Sequence, residues 1–242
     1  MTGQAQGESV VHEHASRAAD VNLQSRPQVL EYEAISDRIA DDRPGRVLDW
    51  GCGWGHVTSM LRERGIDTEA FDYRPDEAEP TRRMIDGPYP IEACVSPDPV
   101  ALPYGDAEFD AVLSLGVLEH VGDPGGSLRE LHRVLRPNGR LYIYKLPNRY
   151  SYLEWVAKKL GLYYHGALPD DRIYDKRSAV ELVESNGFRV TAFRRTNLLP
   201  LTLPQPWLRP LAPAIWAVNR VLRFVPGLSL LATNLELDAL RQ

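Results

Sequence analysis

The chain holds only two cysteines, Cys52 and Cys94, in 242 residues. Two thiols cannot staple a fold of this length, so a disulfide framework of the secreted kind is excluded and a reducing, cytoplasmic compartment is expected. Positive charge is not in surplus either: 28 Lys and Arg stand against 33 Asp and Glu, a net charge of −5. A field of that sign repels a polyanion, so nucleic acid is not an expected partner, even allowing for short groups such as Arg38, Arg43 and Arg46 or Arg194 and Arg195. No uninterrupted run of the ~20 apolar residues that a bilayer span requires is present. Residues 1 to 24 lack the apolar stretch of a signal peptide and carry Glu8, Glu13 and Asp20; a mobile tail is expected there, with His12 and His14 as solvated residues. Repeats and low-complexity tracts are absent too.

What the chain does contain is an ordinary globular balance, 43% hydrophobic and 25% charged. Apolar residues recur at helical spacing around Val29, Tyr32 and Ile35 to Ile39 until Arg43-Pro44-Gly45 breaks the pattern. Arg46 to Trp50 is a short apolar run ending in glycines, the pattern of a buried parallel strand, and Val57, Met60 and Leu61 then return to helical spacing as far as Gly65. Further strands are expected at 68–72, 90–95, 109–115, 140–146, 188–193 and 228–237, with a polar helix at 76–85. Another helix runs through Leu128, Leu131, Val134 and Leu135 to the stop at Arg136-Pro137-Asn138-Gly139, and Ser178 with Glu181 has capping-box spacing for a helix ending at Gly187. This alternation predicts an α/β fold with a mostly parallel sheet and helices on both faces, in one domain over 25–242.

The segment Val47-Leu48-Asp49-Trp50-Gly51-Cys52-Gly53-Trp54-Gly55 delivers three alternate glycines from a strand to a helix start. Glycine there lets backbone approach a ligand and leaves a helix N-terminus as its polar rim. A nicotinamide enzyme carries G-x-G-x-x-G, whereas His56 occupies the place of that third glycine. An acid followed by G-x-G-x-G resembles the first motif of the class I S-adenosylmethionine-dependent methyltransferases. Three later segments are similar to that family in the same order: Asp98-Pro99-Val100-Ala101-Leu102-Pro103, then Phe109 to Leu115 with Val117-Leu118-Glu119-His120-Val121, then Leu135 to Leu141. The resemblance covers about residues 46–146 and is nearest to small-molecule members of the quinone and menaquinone pathways.

That resemblance implies S-adenosylmethionine as cofactor and a Rossmann-like seven-stranded sheet in the order 3-2-1-4-5-7-6, the last strand antiparallel. It implies a cofactor site made of Asp49, Gly51, Cys52, Gly53 and Gly55, with Asp72 and Tyr73 at the ribose, Asp98 and Pro99 at the adenine amino group, and Leu115 and Glu119 against the cofactor. His120, after the fourth strand, is the leading catalytic base, and His165 is the second. Relatives with E-x-x-E-H hold a divalent metal there; Gly116 replaces the first acid, so no metal is expected. Acceptor recognition falls to 148–174, rich in Tyr150, Tyr152, Trp155, Tyr163 and Tyr164, and to 198–227. In the latter, Leu211, Ile215, Val218 and Leu222 form one apolar helical face near Arg209, Arg220 and Arg223, which suits either core packing between the last two strands or a lipid interface. The expected function is methyl transfer to oxygen or nitrogen of a small-molecule or lipid- or glycan-like acceptor. The alternatives are an inactive cofactor-binding partner subunit and, disfavoured by the glycine spacing, a nicotinamide oxidoreductase.

Overall fold

A strand covered on both faces needs apolar side chains in both directions, and the first strand supplies them. Val47 points to one face; Leu48 and Trp50 point to the other. The computed structural model describes residues 25–86, 88–161, 171–202, 210–225 and 227–242. Its helices are α1 (Arg26–Asp41), α2 (His56–Glu63), α3 (Pro124–Val134), α4 (Tyr152–Lys159), α5 (Lys176–Glu184) and α6 (Ala212–Leu222). Its strands are β1 (Arg46–Trp50), β2 (Asp67–Tyr73), β3 (Thr81–Ile85), β4 (Ile91–Ser96), β5 (Phe109–Leu115), β6 (Leu135–Pro147), β7 (Phe188–Thr196) and β8 (Asn234–Arg241).

They form one sheet in the order β3-β4-β2-β1-β5-β6-β8-β7. β1, β2, β4, β5 and β6 run parallel, and β8 is antiparallel to both β6 and β7. Without β3 this is the family order. The alternation of side chains along the strands separates two cores. Tyr32, Ile35 and Ile39 of α1 with Val57, Met60 and Leu61 of α2 cover Val47, Ala111, Leu113, Tyr142 and Tyr144. Leu128, Leu131 and Val134 of α3 with Ala179 and Val183 of α5 cover Leu48, Val112, Leu141, Ile143 and Leu237 on the opposite face.

Four expectations need correction. The sheet has eight strands, because residues 81–85 form β3, antiparallel to β4 at the sheet edge, and not the end of a polar helix. Pro80 cannot continue a helix, and β4 leaves an edge that needs hydrogen bonds. The last strand is Asn234–Arg241; Leu228–Leu231 is a 3-10 turn entered through Gly227 at φ +80°, so the apolar run begins before the strand does. The capping box of α5 uses Asp175 as N-cap, with Ser178 at the third helical position reaching back to its amide, one turn earlier than the Ser178 and Glu181 pair suggests. Finally, α6 packs on α1 and not between the last two strands; of its residues only Ala212 and Asn219 are buried, while Leu211 and Val218 are exposed. Among the described residues no helix is long and apolar enough to cross a membrane.

Candidate active site

Parallel strands of an open α/β sheet point their carboxyl ends at one crevice, where the loops are free to carry chemistry. Gly51, Gly53 and Gly55 all adopt left-handed backbone, φ +77°, +51° and +72°. Gly51 and Cys52 donate their amides to the Phe71 carbonyl at 2.8 and 2.9 Å, which ties the loop to β2. A Cβ on Gly51 would strike Val117, and one on Gly55 would strike Ile91, so those two glycines are required by packing. Gly53 differs: among the described residues a Cβ there meets nothing within 4 Å. Its bare backbone faces open space at the head of α2, as a cradle for a bound ligand would.

Asp49 lies beneath the loop, 3% exposed, and accepts a 2.6 Å hydrogen bond from the Thr58 hydroxyl of α2. Burial pushes its pKa up to about 6. Asp72, at the end of β2, is also pushed up by burial to about 6, opposed by Arg74, whose guanidinium is 3.0 Å away. Tyr73 beside it is 45% exposed. β4 ends alongside, with Tyr73 opposite Ser96, and Asp98 follows in the next loop. Asp98 and Pro99 are exposed; one Asp98 oxygen accepts from the amides of Val100 and Ala101, which holds its carboxyl below the usual range. Cys52 is buried, and burial raises its thiol far above the ordinary value, so it is an inert wall of the loop.

β5 ends at the half-buried Leu115 and passes through Gly116 to Glu119 and His120. Glu119 is a buried acid, 2% exposed. His120 places Nδ1 2.9 Å from Asp171 Oδ1 and Nε2 3.9 Å from Glu119 Oε1. A segment of 171–174 is strapped across this loop: Arg172 donates to the Glu119 carbonyl through its amide and to the Gly122 carbonyl through its guanidinium. An imidazole bonded to a carboxylate through one nitrogen presents the other to a reacting proton. Asp171, Thr58 and Arg172 are contributions that no motif in the sequence marks. His165, Tyr163 and Tyr164 lie outside the described residues. In α4, no residue is buried and Trp155 is 62% exposed, so its aromatic density is not helix core. Among the described residues no group of three His, Cys, Asp or Glu is arranged to hold a metal.

The methyltransferase-domain family matches residues 24–192. The chain belongs to that family. It is 34% identical over 125 residues to a malonyl-(acyl-carrier protein) O-methyltransferase of Pseudescherichia vulneris, a match covering 52% of this chain and 47% of that one. It is 33% identical over 113 residues to a demethylmenaquinone methyltransferase of Thermus thermophilus, covering 46% of this chain and 51% of that one. The chain thus spans about half the length of these curated relatives. The structure of a Burkholderia thailandensis 1,6-didemethyltoxoflavin-N1-methyltransferase, holding its substrate and S-adenosylhomocysteine, matches 99% of this chain and 88% of that one with TM-score 0.60 and 19% identity. A solved cyclase also shares the fold, at TM-score 0.53, 19% identity, and 86% and 81% of the two chains. Fold likeness at this identity extends to different reactions, so the chemistry has to be argued from the site.

Proposed function

We propose that this chain transfers a methyl group from S-adenosylmethionine to an acceptor bound over the carboxyl ends of β5 and β6. The observation that carries the reading is the open space at Gly53, flanked by Asp49 below the loop, Asp72 at the end of β2 and His120 after β5. These residues fit the cofactor: the loop amides of α2 provide a polar rim, Asp72 two acceptor oxygens for ribose hydroxyls, and Asp98 a second carboxylate oxygen for an amino group. Leu115, Cys52, Tyr73, Pro99 and Glu119 would line the same ligand.

When bound, S-adenosylmethionine supplies a methyl already activated on a sulfonium sulfur. The protein's work is then alignment, worth on the order of 7–11 kcal/mol, and disposal of a proton. His120 accepts the proton of an acceptor hydroxyl, and Asp171 holds the imidazole in place and stabilises it once charged. Calorimetry with S-adenosylmethionine against NAD tests the cofactor. Methyl incorporation from labelled cofactor into small-molecule and lipid extracts tests the reaction; binding without any transfer would instead indicate a cofactor-binding partner subunit.

One observation favours a lipid-like acceptor. Val221 is 66%, Phe224 73% and Leu230 45% exposed, beside Arg220 and Arg223. An apolar surface with basic residues suits the headgroup layer of an anionic membrane. Cytoplasmic placement with peripheral membrane contact follows from that reading.

A further inference from the structure

A second polar cluster lies at the same crevice, on the α1 and α2 side of the sheet, and none of the methyltransferase motifs accounts for it. His56 is the first residue of α2, directly after Gly55. Its ring centre is 4.3 Å from that of Tyr32 on α1. Lys145 lies in β6 where the register with β8 slips between Ile143 and Leu146. Its Nζ is 4.3 Å from the centre of the same Tyr32 ring and 3.3 Å from the Tyr32 hydroxyl. Lys145 follows Tyr144, whose carbonyl accepts the Gly116 amide, so it sits level with the start of the loop that carries His120.

Two features are costly for a structural role. Both ring nitrogens of His56 are buried with no hydrogen-bond partner among the described residues, a penalty of about 1–3 kcal/mol for each group. Lys145 has φ +62°, a left-handed backbone that costs a residue with a side chain roughly 1–3 kcal/mol, persists only where the surrounding structure over-determines it, and clusters at binding and active sites. A leucine and a glycine in these places would fold at lower cost. Burial, reinforced by Lys145, also pushes the His56 pKa down to about 4, so the imidazole is neutral and offers one donor and one acceptor. Glu31, Arg38 and Glu236 also face this corner, and burial together with Glu236 pushes the Glu31 carboxyl upward against the pull of Lys145 and Arg38.

We propose that Tyr32, His56 and Lys145 form the acceptor-oxygen subsite, and that the acceptor is an acidic oxygen compound whose negative oxygen rests on the Lys145 ammonium. The inference depends on the methyl-transfer reading and names the substrate class for it. A phenol or enol first gives its proton to His120, and the resulting oxyanion then takes the methyl as S-adenosylhomocysteine leaves; a carboxylate has no proton to give. The Lys145 charge stabilises the oxyanion before transfer, and His56 bonds the adjacent oxygen or hydroxyl of the same molecule. Amines gain nothing from this arrangement, because an ammonium repels their protonated form.

The test uses the full chain saturated with S-adenosylhomocysteine and the probe 4-nitrophenol, whose ionised form absorbs in the visible. Cofactor affinity is measured first, so a protein that fails to bind S-adenosylhomocysteine refutes the methyltransferase reading separately. The bound probe should ionise at lower pH than the free probe. Lys145→Met should abolish that shift and weaken anion binding at least about tenfold with cofactor affinity unchanged, and Lys145→Arg should retain the shift. Circular dichroism melts establish that each variant folds, and His56→Leu, which keeps the bulk, should weaken the probe with the shift preserved. An unshifted probe, tighter binding of benzylamine than of the phenolate, or a shift that survives in Lys145→Met would overturn the assignment.

Discussion

Residues 46–146 and the described residues that follow them are built differently. In the first region backbone and side chains share the proposed work: glycines at positive φ and loop amides are fixed by the register of β1 with β2 and β5, and Asp49, Asp72 and His120 add side chains at or after strand ends. In the second, the described elements are short or exposed, such as the unburied α4 and the half-exposed outer face of α6. A cofactor of constant shape can be read by backbone, whereas acceptors differ between relatives and are read by what is mounted around them. We expect substitutions at the loop glycines to act all-or-none and those on the exposed elements to act by degree.

The sharpest way to break this contrast is Gly53→Val. A branched side chain at φ +51° fills the open space above the loop, and we expect cofactor affinity to fall by at least roughly 100-fold, the scale of overpacking a close contact. The fold should survive with a lowered melting temperature, since no described atom within 4 Å is displaced but the left-handed backbone strains a branched residue. Calorimetry with S-adenosylhomocysteine beside a thermal melt checks both halves; wild-type affinity would remove the loop from the site.

His120→Ala addresses the seam between the regions. Single-turnover transfer to a hydroxyl acceptor should slow by about 10²- to 10⁴-fold while cofactor affinity holds. Asp171→Asn should reproduce part of that loss, because it leaves the imidazole in place without its carboxylate. A variant with the wild-type rate and pH profile would assign the proton elsewhere.

Asp72→Ala is expected to cost about 1.5–3 kcal/mol of cofactor binding, the scale of hydrogen bonds to a charged group. pH separates its two roles. Its folded pKa near 6 lies above the ordinary 3.8, so the folded protein takes up the proton first as pH falls through 6. The free protein then gains stability from this group between pH 6 and 4, while cofactor affinity declines over the same window. His56 works against the stability gain, since its pKa near 4 lies below the ordinary 6.5 and the unfolded chain protonates first. The difference between wild type and Asp72→Asn isolates the carboxylate; an affinity that stays level from pH 7 to 5 would contradict its ribose role.

The smallest effect on the enzyme in solution belongs to the exposed apolar stretch. Val221→Ser with Phe224→Ser should change stability by no more than about 0.5 kcal/mol per site. Sedimentation with vesicles containing anionic lipid should lose the double variant and retain the wild type. Equal retention of the two would exclude the membrane-facing role.

Legibility followed the same division. Strands β1 and β5 were readable to the residue, because a strand covered on both faces leaves a continuous apolar run with hard ends at Gly51 and Gly116. β3 was unreadable, since Thr81 to Met84 are all exposed and no alternation marks them; only the vacant edge of β4 makes them a strand. Asp72 could be placed by counting to the end of a strand. Lys145 and Tyr32 could not, because they meet across 113 residues through a bulge that no local pattern announces. His56 left a trace, as the residue standing where a dehydrogenase would have glycine.

An open sheet of eight strands has two rims of unsatisfied backbone, and here both are guarded by arginine. On β3, Arg82 pairs with Glu69 and Glu92, and Arg83 with Glu77. On β7, Arg189 is exposed, Arg194 pairs with Asp238, and the ladder slips between Val190 and Ala192. Bulky cations and a broken register keep a second molecule from extending the sheet strand by strand. That guard opposes strand-by-strand association, and Arg82→Val with Arg83→Val should make the β3 rim adhesive while leaving the glycine loop untouched.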